Sequence, residues 1–213
     1  MPRLTQPRRA ELTSPEIQAS LQRVFGDRDP VDEPGTATGS PGDWWTTMAI
    51  EPGIFQLIEL RHAWQQSPER ALDPLLRELA IARAGWARGS QFVFSQHCKV
   101  MRRLGVAEER IAGIPDWATA PCYDARERLV LAYVDDLVLA SGRVPDTRFA
   151  ALRRLLSDVE ILELTFIACT YDMSATMSRA LRLEFDDRAD PIVEVAAPED
   201  FKAADFLSPT RRS

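Results

Sequence analysis

The residues best suited to chemistry lie in the stretch Leu76 to Gly105, where two predicted helices meet at a break next to Gly89. Glu78 lies on the first of these helices. His97 lies on the second, at a position that falls on the apolar face of that helix. Two antiparallel helices joined at this break bring side chains on either side of it together. We therefore expect Glu78 and His97 to lie within reach of each other.

A carboxylate beside an imidazole suits proton transfer near neutral pH. The carboxylate fixes the tautomer of the ring and raises its basicity, which is what a general acid or base requires. The same two residues, Glu78 and His97, can also form an ion pair of the core with no catalytic role. The residues alone leave both interpretations open.

Capping residues mark the ends of both helices that carry this pair. Asp73 followed by Pro74 is typical of a helix start, and Gly89 is predicted to end that helix. Ser90 fits the N-cap of the second helix, and Gly105 fits a left-handed residue at its end. The predicted unit is a helical hairpin.

Similar signals predict helices along the rest of the chain, and strand-like alternation is absent. The long helix after Ser157 is apolar around its circumference, so it is predicted to be central and buried. The other predicted segments are a helix from Pro15 closed by Gly26, a turn and a helix within Trp44 to Gln66, a short helix over Ala107 to Ala112, a helix from the Asp124-x-x-Glu127 capping box to about Ala140, and a helix from Asp146 to Leu156. The predicted class is all-α, with about seven or eight helices and no sheet.

Proline content divides the chain. Residues 1–43 contain six prolines and one short apolar-striped helix, so they are predicted to form an N-terminal arm. The stripe of that helix must pack on this core or on a neighbouring subunit. Residues 44–185 form the predicted helical domain. Residues 186–213 form a polar, proline-broken C-terminal tail, predicted to be an arm or disordered.

Charge and composition exclude several classes of protein. The chain has 213 residues, a net charge of -6 and a pI near 5.1, which argues against binding to nucleic acid or to an anionic membrane. No apolar run is long enough to span a bilayer, and the first residues do not resemble a secretory signal, so we expect a cytoplasmic protein. Three widely spaced cysteines suit reduced thiols. No metal-binding or nucleotide-binding motif occurs, so neither a metal nor a cofactor is predicted.

The run RELAIARAGWARGSQFVFSQH, followed by RRLGVAEERI and later by ACTYDMSATMSRAL, resembles the carboxymuconolactone decarboxylase family, which includes the alkylhydroperoxidase-D-like proteins. The resemblance covers roughly residues 44–185. Its most specific part is the spacing from Glu78 to Ser90 and on to His97. It implies a compact helical bundle of the alkylhydroperoxidase-D-like (AhpD-like) type, and a homo-oligomer that is a trimer or a hexamer.

The peroxidase branch of this superfamily carries a Cys-x-x-Cys-x-x-x-His motif, with the glutamate and histidine in a proton relay. Here Ser90 and Val93 occupy the two cysteine positions, so dithiol peroxidase activity is not expected. Cys98 follows His97 by one residue, about 100° around the helix, and is predicted to face away from Glu78. The resemblance then implies a cofactor-free acid/base lyase or isomerase that acts on a small carboxylate or lactone.

The remaining site candidates each have two interpretations. Ser90 either orients a substrate or caps its helix, and Arg83 either clamps a substrate carboxylate or pairs with Glu78. Asp172 either faces the site or bridges to solvent. Four aromatic residues either line a pocket or belong to the core, and they are Trp86, Phe92, Phe94 and Tyr171. The alternative for the whole chain is a non-catalytic ligand-binding or assembly protein on the same scaffold.

Overall fold

The computed structural model of the chain describes residues 1–189 and 191–201. Over these residues it contains nine α-helices, one short 3-10 turn at Arg9–Glu11, and no strand, which confirms the predicted all-α class. In chain order the helices are α1 (Pro15–Phe25), α2 (Asp43–Met48), α3 (Pro52–Gln65), α4 (Pro74–Ala87), α5 (Gln91–Arg103), α6 (Glu108–Ala112), α7 (Ala125–Val138), α8 (Asp146–Leu152) and α9 (Asp158–Leu181). The helix not predicted is α2, which replaces the expected turn.

The end of α8 differs from the prediction. The helix stops at Leu152 and not at Leu156, because the backbone N–H groups of Leu155 and Leu156 both bond to the carbonyl of Leu152 and turn the chain. The turn places Ser157 at the start of α9. There the Glu160 N–H lies 3.3 Å from Ser157 Oγ, and the Ser157 N–H donates to Glu160 Oε2 at 2.7 Å. The predicted capping box is therefore present.

The chain divides into two structural units. The first contains Met1–Pro68 and Ser178–Arg188 together with residues 196–201, and the second contains Glu69–Met177 together with residues 189 and 191–195. The division into an arm over 1–43, a domain over 44–185 and a tail over 186–213 stays a prediction.

In the first unit, α1 packs its apolar stripe on this chain. Ile17, Leu21 and Phe25 are each at most 2% exposed, and α1 contacts α3. Ser14 caps α1 and Gly26 follows it with a φ of 64°, as predicted. The stripe is therefore part of the unit's own core.

A buried carboxylate in the first unit holds the turn before α2. Glu184 is 5% exposed, and its two oxygens accept the backbone N–H groups of Gly42 and Trp44, each at 2.9 Å. The Asp43 carboxylate in turn accepts the Glu184 N–H at 2.5 Å. Burial, and then the negative charge of Asp43, raises the pKa of Glu184 to about 7.

In the second unit, α4 is buried over most of its length and packs against α5 and α7. Residues 191–195, part of the predicted tail, lie against α5. The Val195 N–H donates to Ser95 Oγ at 2.7 Å, and Glu194 forms an ion pair with Arg102. Position 190 and positions 202–213 of the predicted tail lie outside the described residues.

The prediction that α9 is central and buried is wrong for one of its faces. Ile161, Leu164 and Ala168 are buried, but Leu162 is 69% exposed and Phe166 is 50% exposed. An apolar circumference in the sequence does not reveal how many neighbours surround a helix. None of the helices in the described residues is both long enough and apolar enough to cross a membrane.

We expect the stability of the first unit to depend on pH through Glu184. A carboxyl whose pKa is raised on folding stabilises the fold most when it is protonated, and this contribution is lost as the pH rises through about 7. As the pH rises from about 5 to about 8, the free energy of unfolding of Glu184→Gln should increase by roughly 2 kcal/mol relative to that of the wild type. Urea unfolding at several pH values measures this difference.

The matched control is Glu33→Gln, which removes an exposed carboxylate from the same unit. A difference between Glu184→Gln and the wild type that stays constant across the pH range would contradict the prediction.

Candidate active site

The hairpin of α4 and α5 begins and ends as predicted. Asp73 caps α4 by accepting the N–H groups of Leu75 and Leu76 at 2.9 and 3.2 Å. Gly89 takes a φ of 67° in the connection, a left-handed conformation that a glycine adopts without strain. Gly105 takes a φ of 77° after α5. Local capping residues thus define the ends of both helices.

Gly85 permits the close approach of the two helices. A Cβ atom at this position would lie 2.8 Å from the backbone nitrogen of Phe94 and 2.8 Å from Cγ1 of Val93. The first of these is a backbone atom in the first turn of α5 and cannot rotate away. A glycine at position 85 is therefore required by the spacing of α4 and α5 at their junction.

Glu78 and His97 meet between the two helices. Glu78 Oε2 lies 2.6 Å from His97 Nδ1, and the two residues are 1% and 7% exposed. The short distance and the burial make this a charge-assisted hydrogen bond in a site with little water. The two residues thus lie within reach of each other, as expected from the sequence.

Arg77 is a third member of the cluster that the sequence did not predict. Its Nε donates to Glu78 Oε1 at 2.9 Å, and the residue is 8% exposed. Neighbouring residues on a helix point about 100° apart, so helical spacing does not indicate a contact between positions 77 and 78. The only available signal was an arginine beside Glu78 in a helix that is mostly apolar.

Glu78 is held in its ionised form by this arrangement. Burial alone raises the pKa of a carboxyl group, but the charges and hydrogen bonds of His97 and Arg77 outweigh it and hold the pKa of Glu78 below its usual value. An ionised Glu78 accepts a hydrogen bond from Nδ1–H of His97. With Nδ1 bonded to Glu78, Nε2 is the ring nitrogen that can take part in proton transfer.

Tyr171 of α9 packs against the imidazole. The two ring centroids are 4.7 Å apart and the ring planes meet at 83°, an edge-to-face arrangement. Trp86 and Phe94 form a second aromatic pair, with centroids 5.3 Å apart. Tyr171 therefore lies next to the Glu78–His97 pair, while Trp86 and Phe94 contact each other.

Ser90 caps α5, as one of its two interpretations predicted. Its Oγ accepts the N–H of Val93 at 3.3 Å, and the residue is fully buried. The same hydroxyl is at the position where the peroxidase branch carries its first cysteine. A role for Ser90 in substrate orientation stays a prediction.

Arg83 is engaged away from Glu78. Its Nε and Nη2 contact the two carboxylate oxygens of Asp135 at 2.7 and 3.0 Å, and Nη1 donates to the carbonyls of Ile114 and Pro115 at 3.1 and 3.0 Å. Trp117 donates to the same carboxylate at 3.0 Å. The arginine thus ties α4 to α7 and to the loop before it.

Asp172 forms an ion pair with Arg88 at the end of α4. Both Nε and Nη2 of Arg88 face the carboxylate, with Nη2 at 3.2 Å from Oδ2. The hydrogen bonds to Asp172 raise the pKa of Arg88. Asp172 therefore joins α9 to the α4–α5 connection, one residue beyond Tyr171.

Cys98 is enclosed in the protein. The residue has no exposed surface, and burial raises the pKa of its thiol far above the usual value.

Among the described residues, no cluster of three or more histidine, cysteine or acidic side chains has the arrangement of a metal site. The chemistry that the described cluster can supply is proton transfer by His97, oriented by Glu78.

We expect Gly85→Ala to lower the free energy of unfolding by about 1–3 kcal/mol, because the new methyl group overlaps the backbone of α5. Chemical denaturation measures the loss. Gly53→Ala is the matched control, since a Cβ in that helix meets only the carboxylate end of exposed Glu51. Equal stability of Gly85→Ala and the wild type would show that the helices are not held at this distance.

The segment that contains this hairpin matches the model of a known family. Residues 56–136 match the model of the carboxymuconolactone decarboxylase family. This segment contains the whole of α4 and α5, and with them Glu78 and His97. No curated protein matches the chain.

Several solved structures share the fold. An alkylhydroperoxidase AhpD core from Ralstonia eutropha JMP134, an uncharacterized peroxidase-related protein, is 18% identical over 85% of this chain and 90% of its own, with a TM-score of 0.67. A peroxidase-related protein from Silicibacter sp. TM1040 shows the same identity and coverage, with a TM-score of 0.65. A protein of unknown function from Agrobacterium tumefaciens is 23% identical over 69% of this chain and 97% of its own, with a TM-score of 0.58.

The family model and the shared all-helical fold agree with the resemblance of the motifs. Residues 56–136 thus match the carboxymuconolactone decarboxylase family, and the chain shares the fold of AhpD-like structures while it lacks the Cys-x-x-Cys motif.

Proposed function

We propose that the protein is a cofactor-free acid/base enzyme, a lyase or isomerase that acts on a small carboxylate or lactone. The observation that carries the proposal is the buried hydrogen bond of 2.6 Å between Glu78 and His97. Histidine oriented by a carboxylate is a common general acid and base. The match of residues 56–136 to a decarboxylase family supports this reaction class.

In a decarboxylation, the bond between the carboxylate carbon and its neighbour breaks and carbon dioxide leaves. The electron pair of that bond moves into the conjugated part of the substrate, and a carbon atom there must take up a proton. His97 donates this proton from Nε2 and is reprotonated by solvent. Glu78 stays ionised and stabilises the imidazolium.

An isomerisation uses the same two residues. Neutral His97 removes a proton from a carbon next to a carbonyl, this proton exchanges with solvent, and the imidazolium delivers a proton at another position of the conjugated system. No atom is gained or lost. The same pair therefore serves either reaction, and the substrate decides which one takes place.

The thiol chemistry of the peroxidase branch is not part of the proposal. Ser90 and Val93 carry no thiol, and Cys98 is buried with a raised pKa. A peroxidatic cysteine must reach the peroxide as a thiolate.

We also propose the cytoplasm as the location, on the composition and the reduced cysteines alone.

The aromatic residues favour a substrate that is partly apolar. Tyr171 contacts the imidazole with its ring, and Trp86 and Phe94 pack close to the start of α5. Arg77 balances the charge of Glu78, so an anionic substrate meets no net negative charge from this pair. A small conjugated carboxylate or lactone has both properties.

We expect His97→Ala and Glu78→Gln to lower turnover by at least 100-fold, which is the usual contribution of general acid/base catalysis. The assay incubates the protein in deuterated water with a panel of unsaturated carboxylates and lactones. Mass spectrometry then measures carbon-bound deuterium in the substrate or product, which reports proton transfer at carbon for both reaction classes.

The matched control is Glu163→Gln, which removes another buried glutamate of the same unit. In the wild type, Glu163 accepts the Leu72 N–H at 2.8 Å and pairs with Arg70. This variant should keep its turnover. Equal turnover of the wild type, His97→Ala and Glu78→Gln would contradict the assignment. A panel member that binds near His97 without deuterium uptake would favour the alternative, a non-catalytic ligand-binding protein.

A further inference from the structure

Gln96 of α5 is a buried amide without a hydrogen-bond partner. The residue is 4% exposed, and within the described part of the chain both Nε2 and Oε1 are buried and unpartnered. Every other side chain there with such an atom keeps another polar atom that is paired or exposed. A carboxamide can donate two hydrogen bonds and accept two. The described residues therefore use none of the hydrogen-bonding capacity of Gln96.

An unpartnered amide at this position lowers the stability of the fold. The amide loses its hydrogen bonds to water on folding and regains none from the described residues, whereas an apolar side chain of the same length would lose nothing. The neighbouring residues Val93 and Val100 on α5 are buried and apolar. Buried polar groups that stay unpaired in native proteins require an explanation other than packing, such as the binding of a ligand.

Gln96 lies on the side of the α4–α5 hairpin that faces α9. Trp86 and Phe94 pack on each other and mark one side of the hairpin. Gln96 follows Phe94 by two residues, about 200° around α5, and therefore lies on the other side. Arg88 likewise follows Trp86 by two residues, and it pairs with Asp172 of α9. The amide and α9 thus lie on the same side of the hairpin.

The same side of the hairpin gives α9 its contact with His97. Tyr171, next to Asp172 on α9, packs its ring against the imidazole. Gln96 directly precedes His97 on α5, about 100° around the helix. A molecule bound between α9 and the hairpin therefore meets the amide of Gln96 close to the imidazole.

We propose that Gln96 recognises the substrate of the Glu78–His97 pair, and that this substrate is a hydroxy acid or a hydroxylated lactone. The inference rests on the proposed acid/base function, which brings a carboxylate or lactone to His97. The Nε2 group of Gln96 donates to the carboxylate or carbonyl oxygen, and Oε1 accepts the hydroxyl of the substrate. Without that hydroxyl, Oε1 stays unpaired and half of the amide is unsatisfied.

A neutral amide is suited to this selection. Arg88, the cation on the same side of the hairpin, is held by Asp172. A cation attracts any carboxylate, whereas the fixed donor and acceptor of an amide distinguish a ligand with a hydroxyl beside its carbonyl from one without it. A site built to bond a hydroxyl rejects the analogue that lacks it, because its own polar group is then left unpaired.

We expect Gln96→Met to raise the urea midpoint of unfolding of the ligand-free protein. Methionine keeps an unbranched side chain of similar length and removes the unpartnered amide. The matched control is Gln65→Met, because Gln65 is 2% exposed and does have an interaction partner. This control should lower the midpoint. A lowered midpoint of Gln96→Met would show that the amide is bonded within the fold, and would overturn the proposal.

The binding test uses matched probes in calorimetric titrations. The pairs are mandelate and phenylacetate, lactate and propionate, and 3-hydroxy-γ-butyrolactone and γ-butyrolactone. The wild type should bind the hydroxylated member of at least one pair 10-fold or more tightly than the other member, and Gln96→Met should bind both members of that pair alike. Gln65→Met should keep the wild-type difference. Equal affinity of the wild type within every pair would overturn the proposal.

Binding and turnover separate this inference from the proposed reaction. His97→Ala should keep the preference for the hydroxylated probe, because the amide of Gln96 is unchanged. A wild type that shows this preference without proton transfer at carbon would contradict only the proposed reaction. A Gln96→Met variant that keeps the preference would contradict only the role of Gln96.

Discussion

A buried negative charge governs the second unit of this protein. The Glu78 carboxylate is almost fully removed from water, and an isolated charge in such a place would be too costly to keep. Arg77 occupies one of its oxygens and His97 the other. The ring of His97 is in turn packed by Tyr171. The position of each of these side chains therefore depends on α4 and α5 staying close, and this depends on Gly85.

Much of the hairpin could be predicted from the sequence because its signals are local. Asp73, Ser90 and Gly105 each act on backbone groups within a few residues, so their identity indicates the end of a helix. The pairing of Glu78 with His97 needed only the helical period and a short connection. The family resemblance added the expectation that these two residues matter together.

The features that could not be predicted all depend on distant partners. Arg83 pairs with Asp135, which lies on another helix, and no local pattern selects this partner over Glu78. Arg77 contacts Glu78, the next residue in the chain, and helical spacing does not predict a contact between adjacent positions. In the sequence, the exposed face of α9 cannot be distinguished from a core face, because the hydrophobicity of a residue alone does not show whether it is buried.

The contact of residues 194 and 195 with α5 has a consequence for the order of folding. Ser95 and Val195 are 100 positions apart, and Arg102 and Glu194 are 92 apart. During synthesis, α5 and its histidine leave the ribosome long before the residues that cover its outer side. The helix that carries His97 thus receives these contacts only after residues 194 and 195 have been made, long after its own residues.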